Sequence, residues 1–211
     1  TLARTLSLEI GLPFKAAQDE ISASAAFLLY RADAETPLDV LHDDARQRVE
    51  VVRKPIGVVG AIIPLNAPML IACEKIATAF AVGNTVVMKP SPLAPLTLLQ
   101  IGELISDVVP PGVLSILPGG AELGTALVAH PQVGMISFTG SIRAGQAIMA
   151  NAAPGLKRLS LELGGNDAAI VLPDADVASV APRLFTGAFY RSGQVCAAIK
   201  RLYVHRDIAA P

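Results

Sequence analysis

Tryptophan is absent from this 211-residue sequence, and aromatic residues of all kinds make up only 4% of it. Cysteine occurs twice, at Cys73 and Cys196, and histidine three times, at His42, His130 and His205. Two distant cysteines cannot build a disulfide framework, and no Cys/His cluster has the spacing of a zinc site, so no metal is expected. The scattered histidines read as surface or structural residues rather than ligands. Charge is scarce too. Charged residues are 17% of the chain and the net charge is -1, which gives no electrostatic reason to expect nucleic acid or an anionic membrane as partner. No uncharged apolar run reaches the ~20 residues of a membrane span, and no signal peptide opens the sequence. A soluble, cytoplasmic protein is the expectation.

What the chain does have is apolar residues, 52% of it, the low-charge balance of a buried parallel sheet. A chain of this length can bury a full core without staples. Leu6, Ile10, Ile21, Ala25, Leu28 and Leu29 recur at helical spacing, and Gly11-Leu12-Pro13 interrupts them, which predicts two helices between Leu2 and Arg31. From Gln47 the pattern becomes extended through Val49, Val51 and the apolar run Ile56 to Ile63. After Pro64 helices and strands alternate. Helices are expected over 69–82, 95–108, 122–129 and 142–151, and strands over 85–88, 114–117, 135–138, 158–161 and 168–171. Helical segments then run to about Ala198, before a last strand from Arg201 to His205. Gly83-Asn84 ends one helix, Pro110-Pro111-Gly112 makes a turn, and Asp174 or Asp176 caps the next helix. Short buried strands alternating with helices give an α/β fold, an open, doubly wound and mainly parallel sheet with flanking helices.

In such sheets ligands sit beyond the carboxyl ends of the strands. That rule selects Pro64–Asn66, Lys89–Ser91, Pro118–Gly120, Thr139–Ser141 and Glu162–Gly165. Gly140 and Ser141 open a helix, where free amides and a close backbone favour an anion, although Ser141 is equally an ordinary N-cap. The G-x-G-x-x-G fingerprint is absent. Lys89 stands at the mouth of a buried strand. Glu162 sits in the apolar run Leu161-Glu162-Leu163. Burial there would raise its proton affinity toward that of a general base, or it is a structural carboxylate paired with an arginine. Cys196 follows a Gly-Gln pair rather than a packed helix face and is the better nucleophile candidate. Cys73, in an apolar helix, reads as an inert buried thiol.

Five segments taken together resemble the aldehyde dehydrogenase superfamily, in the family's order. They are Ile-Pro-Leu-Asn-Ala-Pro at 63–68, Gly-Asn-Thr-Val-Val-Met-Lys-Pro-Ser at 83–91 and Phe-Thr-Gly-Ser at 138–141. Leu-Glu-Leu-Gly-Gly-Asn at 161–166 and Gly-Gln-Val-Cys at 193–196 complete the set. The resemblance implies that Cys196 is the nucleophile, that Asn66 and the Cys196 backbone N–H form an oxyanion hole, and that Glu162 activates the hydrolytic water. Lys75 matches a family lysine that assists proton transfer. Lys89 and Ser91 would contact the adenosine ribose, Gly140 and Ser141 the pyrophosphate. Ile63, Gly120, Gly124, Phe138 and Leu163 would line the nucleotide cleft. The implied cofactor is NAD, with NADP possible. Many NAD-preferring members carry a glutamate three residues beyond the lysine, a carboxylate that repels a 2′-phosphate, and this chain has Pro92. Leu65 stands where many members have tryptophan.

The resemblance further implies a division into an N-terminal helical part (1–46), a strand resembling part of an oligomerisation arm (47–56), a nucleotide-binding α/β core (57–165) and the start of a catalytic domain (166–211). Family members are longer, so the chain is expected to be a partial one. It would lack the rest of the catalytic domain, the downstream glutamate and phenylalanine motif and the other arm strands. The full-length enzyme would be a homodimer or homotetramer that takes an aldehyde substrate. The alternative is a nucleotide-binding fragment without turnover. A thiol hydrolase using Cys196 and Glu162 is a third reading, and the identity of the aldehyde is not written in these residues.

Overall fold

The computed structural model describes residues 1–209. The chain opens with helices α1 (Leu2–Ile10) and α2 (Phe14–Ala32), separated by Gly11 in the left-handed conformation at φ 69°. An antiparallel hairpin follows, β1 (Asp39–Asp43) and β2 (Arg48–Val51). The alternating portion then runs β3 (Val58–Ile62), α3 (Pro68–Ala81), β4 (Thr85–Lys89), α4 (Leu96–Ser106), β5 (Leu114–Ile116), α5 (Ala121–Ala129), β6 (Val133–Gly140), α6 (Ile142–Ala152) and β7 (Arg158–Leu163). Beyond it lie β8 (Asp167–Val171), α7 (Val177–Phe189) and β9 (Ile199–Val204).

The central sheet has the order β5-β4-β3-β6-β7 and every pairing in it is parallel. The chain winds outward from β3 to β5, then returns to lay β6 on the other side of β3. The order therefore reverses between β3 and β6, and a crevice opens at the carboxyl ends of those two strands. Two cores flank the sheet. One holds Leu6, Ala17, Ile76, Met88 and Leu98, from α1 to α4 and the inner strands; the other holds Leu127, Val128, Ile136 and Ile148, between α5, α6 and the opposite face. β8 and β9 pair parallel in a separate two-stranded sheet. Among the described residues no helix is long and apolar enough to cross a membrane.

Local chemistry explains the joints. The buried Asn84 accepts the N–H groups of Ile56 (2.7 Å) and Gly57 (3.0 Å) on its side-chain oxygen, which fixes the entry into β3. Helices α3 and α4 begin without side-chain caps of their own. Their first-turn amides would be orphaned, and acids from the N-terminal helices satisfy them. Glu20 accepts Met69 N–H (3.0 Å) and Leu70 N–H (3.1 Å), while Glu9 accepts Thr97 N–H (3.2 Å) and the Thr97 hydroxyl (2.7 Å). Asp176, rather than Asp174, caps α7 through Ala178 N–H.

Three sequence expectations change. The stretch 1–46 is helical only as far as Ala32, because Asp39–Asp43 is a strand. Its polar residues, Asp39, His42 and Asp43, hide the strand from a hydrophobicity pattern. Consequently β2 is not without a partner strand: it pairs with β1, in the register Asp39 to Val51 and Asp43 to Arg48. The helical reading to Ala198 stops at Phe189. Arg191 and Ser192 take φ values of 53° and 57° and Gly193 75°, so the backbone leaves the helix through three left-handed residues.

Candidate active site

The carboxyl ends of the central strands deliver their following residues to one edge of the sheet. There an open cleft of ≈360 Å³ is lined by Asn66 after β3, Gly140 and Ser141 after β6, Glu162 and Leu163 at the end of β7, and Cys196 before β9. The three residues singled out as a catalytic set thus face one space, although they lie up to 130 positions apart in the chain.

Cys196 is exposed. Its segment is tied to that of Asn66 directly, because the Asn66 side-chain N–H donates to the Gln194 carbonyl at 2.7 Å. Lys200 donates to the Cys196 carbonyl at 3.1 Å. The other cysteine is of the opposite kind. Cys73 is 1% exposed on α3, and burial pushes its thiol up to about 11, so it stays protonated and inert.

Glu162 is exposed, which corrects the reading of a buried carboxylate. It lies on β7, where alternate residues face opposite sides, so its apolar sequence neighbours do not surround it. Nor is it paired with an arginine. It lines a second cleft as well, of ≈260 Å³, together with Glu74, Lys75, Ser137 and Ser160. In that cleft Lys75 Nζ donates to Ser137 Oγ at 2.8 Å. Burial holds the Lys75 ammonium below its ordinary pKa, against the attraction of Glu74 and Glu162.

The buried carboxylate–arginine pair does exist, elsewhere. Glu20 and Arg191 have side-chain exposures of 0% and 8% and meet at 2.5 Å. Arg191 also donates to the Asn66 carbonyl at 2.5 Å. Removing one partner of such a buried pair costs about 3–5 kcal/mol. Each left-handed non-glycine residue in the same segment costs about 1–2 kcal/mol. A strained backbone is therefore held by a buried anchor. No motif marks Glu20 or Arg191; the only signal at Glu20 is an acid directly before the apolar position Ile21 on α2.

The expected nucleotide contacts gather on the same edge of the sheet. A cleft of ≈200 Å³ between α5 and α6 is lined by Ile62, Lys89, Gly124, Val128, Phe138 and Ile148. Ile63, expected on this cleft, is instead buried in the core on the opposite face of the sheet, since alternate strand residues point to opposite sides. Its N–H donates to the Lys89 carbonyl at 3.0 Å. Lys89 is only 6% exposed; its ammonium donates to the carbonyls of Pro90 (2.6 Å) and Gly119 (3.1 Å), and burial lowers its pKa. Gly120 begins α5, and Ser91 accepts Leu93 N–H at 3.2 Å; both stand on adjoining loops rather than on the walls of this cleft. Ser141 caps α6, accepting Ala144 N–H at 3.2 Å, while the amides of Ile142 and Arg143 have no acceptor within the helix. At Gly140 a Cβ would fall 2.5 Å from the Phe138 ring, so the ring packs directly under this backbone. An apolar slot, an ammonium at its mouth and an open helix N-terminus fit a dinucleotide: a flat base, a ribose and a pyrophosphate.

Comparison with known proteins agrees with this arrangement. The aldehyde dehydrogenase family is matched over residues 1–211. The chain is 43% identical over 212 residues to the chloroplastic betaine aldehyde dehydrogenase of Beta vulgaris, covering 97% of this chain and 42% of that one. It superimposes on the NAD+ complex of an aldehyde dehydrogenase from Bacillus cereus with a TM-score of 0.94 and 35% identity, covering 97% and 43% of the two chains. An NADP-dependent enzyme of E. coli gives a TM-score of 0.93 and 37% identity, covering 98% and 44%. The chain belongs to the aldehyde dehydrogenase family, and it spans less than half the length of these relatives. Because the Beta vulgaris relative is named as a chloroplastic form, membership does not fix a compartment.

Proposed function

We propose that the protein oxidises an aldehyde to a carboxylic acid through covalent catalysis at Cys196, using NAD or NADP. The observation that carries this reading is the single cleft shared by Asn66, Glu162 and Cys196.

The Cys196 thiolate attacks the aldehyde carbon, a C–S bond forms, and the carbonyl π pair moves onto oxygen. An amide NH₂ has two hydrogens, and Asn66 uses one on the Gln194 carbonyl. Its other hydrogen, with the Cys196 backbone N–H, stabilises the oxyanion of this thiohemiacetal. NAD or NADP, when bound, would supply the two-electron acceptor that oxidation of the thiohemiacetal to a thioester requires. Lys89, the α6 N-terminus with Gly140 and Ser141, and the Ile62–Phe138 slot would hold it. Glu162 then takes a proton from water, the hydroxide adds to the thioester, and the C–S bond breaks to release the acid and the thiolate. Lys75, hydrogen-bonded to Ser137 in a cleft that Glu162 also lines, assists this transfer by releasing one ammonium proton toward Ser137 as it accepts the one from Glu162.

Aldehyde-dependent formation of NAD(P)H by the protein expressed from its complete reading frame tests this reading. No reduction with a panel of alkyl and aryl aldehydes and either nucleotide would overturn it. A homodimer or homotetramer, joined through the exposed β1–β2 hairpin, belongs to the same proposal. A second reading, nucleotide binding without turnover by these 211 residues alone, draws on one further observation. Ile170 on β8, Leu172 just after it, and Phe185 and Phe189 on α7 are 72%, 58%, 66% and 61% exposed, uncovered apolar side chains beside the nucleophile segment.

A further inference from the structure

Asn66 is held from three directions, and two of the holds converge on one carboxylate. Its side chain reaches Gln194, and its carbonyl receives Arg191. The helix that begins two residues after it, α3, is capped by Glu20 through Met69 and Leu70. Glu20 divides its two oxygens between these tasks: Oε1 takes the two helix amides, and Oε2 takes the Arg191 guanidinium. The anchored arginine itself has φ 53° and sits five residues before Cys196. Without Glu20, only the Asn66 carbonyl holds the guanidinium, and Arg191 and Ser192 are freer to relax toward negative φ. That change would swing the chain between Phe189 and Cys196.

We infer that Arg191 and Glu20 are positioning residues that set the distance between the Cys196 nucleophile and the Asn66 amide. Neither reaches the reacting atoms; they act through the backbone of both segments. The inference rests on the catalytic roles proposed above. Two nitrogens of one rigid, planar guanidinium hold the two groups at once, Nη1 the Asn66 carbonyl and Nη2 Glu20, and a lysine ammonium can replace only part of this.

The test uses Arg191→Met, Arg191→Lys and Glu20→Gln in the protein expressed from its complete reading frame. For each, kcat and KM for aldehyde, the Kd for NAD(P)H and the rate of Cys196 alkylation by iodoacetamide are measured. Arg191→Met is expected to lose kcat by on the order of 10²-fold, the effect of a misplacement of about 1 Å, while the Kd for NAD(P)H barely moves. Arg191→Lys restores part of that loss. Glu20→Gln keeps an acceptor for the α3 amides and shows the same split in weaker form, which decides the matter should Arg191→Met fail to fold. A kcat within about twofold of the parent for both Arg191→Met and Glu20→Gln overturns the inference, since misplacement would cost far more. So does a loss shared equally by kcat and nucleotide binding with no rescue by lysine, the signature of a merely structural role. Should the parent oxidise no aldehyde, the functional reading fails by itself. Positioning is then decided by alkylation: a changed Cys196 rate in Glu20→Gln supports it, and an unchanged rate overturns it.

Discussion

The side-chain amide of Asn66 donates to the carbonyl of Gln194 at 2.7 Å, across 128 positions of sequence and two residues before Cys196. This bond orients the amide with one hydrogen spent and one left over. Replacing Asn66 with alanine removes the remaining donor as well as the tether. The expected result is a kcat lower by ~10²–10³ with thiol alkylation still occurring. Steady-state kinetics on the purified variant checks this, and a kcat close to the parent's would remove Asn66 from the mechanism.

Glu162→Gln keeps the shape of the β7 exit and removes the proposed base. Acylation does not need it, so a rapid burst of NAD(P)H close to one equivalent of enzyme should precede a steady state slower by on the order of 10²–10⁴. Stopped-flow absorbance separates the phases. A variant with the parent's steady-state rate would assign water activation to another group.

The two thiols should behave as different chemical species. Cys196 is exposed, whereas Cys73 is buried with its thiol pushed up to about 11. Iodoacetamide at about pH 8 should label Cys196 alone in the folded protein and both residues after denaturation. Peptide mass spectrometry reads the outcome, and comparable labelling of Cys73 in the folded protein would contradict its burial on α3.

Cys196, which precedes β9, was singled out by the Gly-Gln pair before it and by the family resemblance. Asn66, Lys89, Ser141 and Glu162 were legible in the sequence because each stands at the exit of a central strand, where a polar or small residue interrupts an apolar pattern. The parallel sheet was legible for the same reason, since β3, β4 and β6 are apolar enough to declare themselves. What escaped was long-range and polar. Strand β1 hides in Asp39, His42 and Asp43. Glu20 looks like any acid on a surface helix until α3 is packed against it, when it becomes a cap for amides 49 and 50 positions away. Glu162 misled in the opposite sense: apolar sequence neighbours suggested burial, but on a strand they point to the other face.

Lys75 gives the protein a pH signature. Burial lowers its pKa in the folded state, with Glu74 and Glu162 opposing. As pH rises through that lowered value toward 10.5, the folded protein releases its proton before the unfolded chain does. The unfolded state then binds more protons, so this group's contribution to stability rises with pH across that window. Lys89 shifts in the same direction for the same cause and adds to the effect. Lys75→Met should therefore show a smaller gain, or larger loss, in Tm between about pH 8 and about pH 10 than the parent. Identical Tm differences in the two proteins would contradict the burial of this ammonium.

The central claim is that Cys196 carries the substrate covalently within a site completed by Asn66 and Glu162. Its most direct test is the intact and peptide mass of Glu162→Gln after mixing with an aldehyde and NAD+. The account predicts an acyl group on the peptide containing Cys196, absent when NAD+ is omitted and absent in the Cys196→Ser double variant. NAD(P)H formation with no acyl group on Cys196, or undiminished turnover by Cys196→Ser, would contradict it.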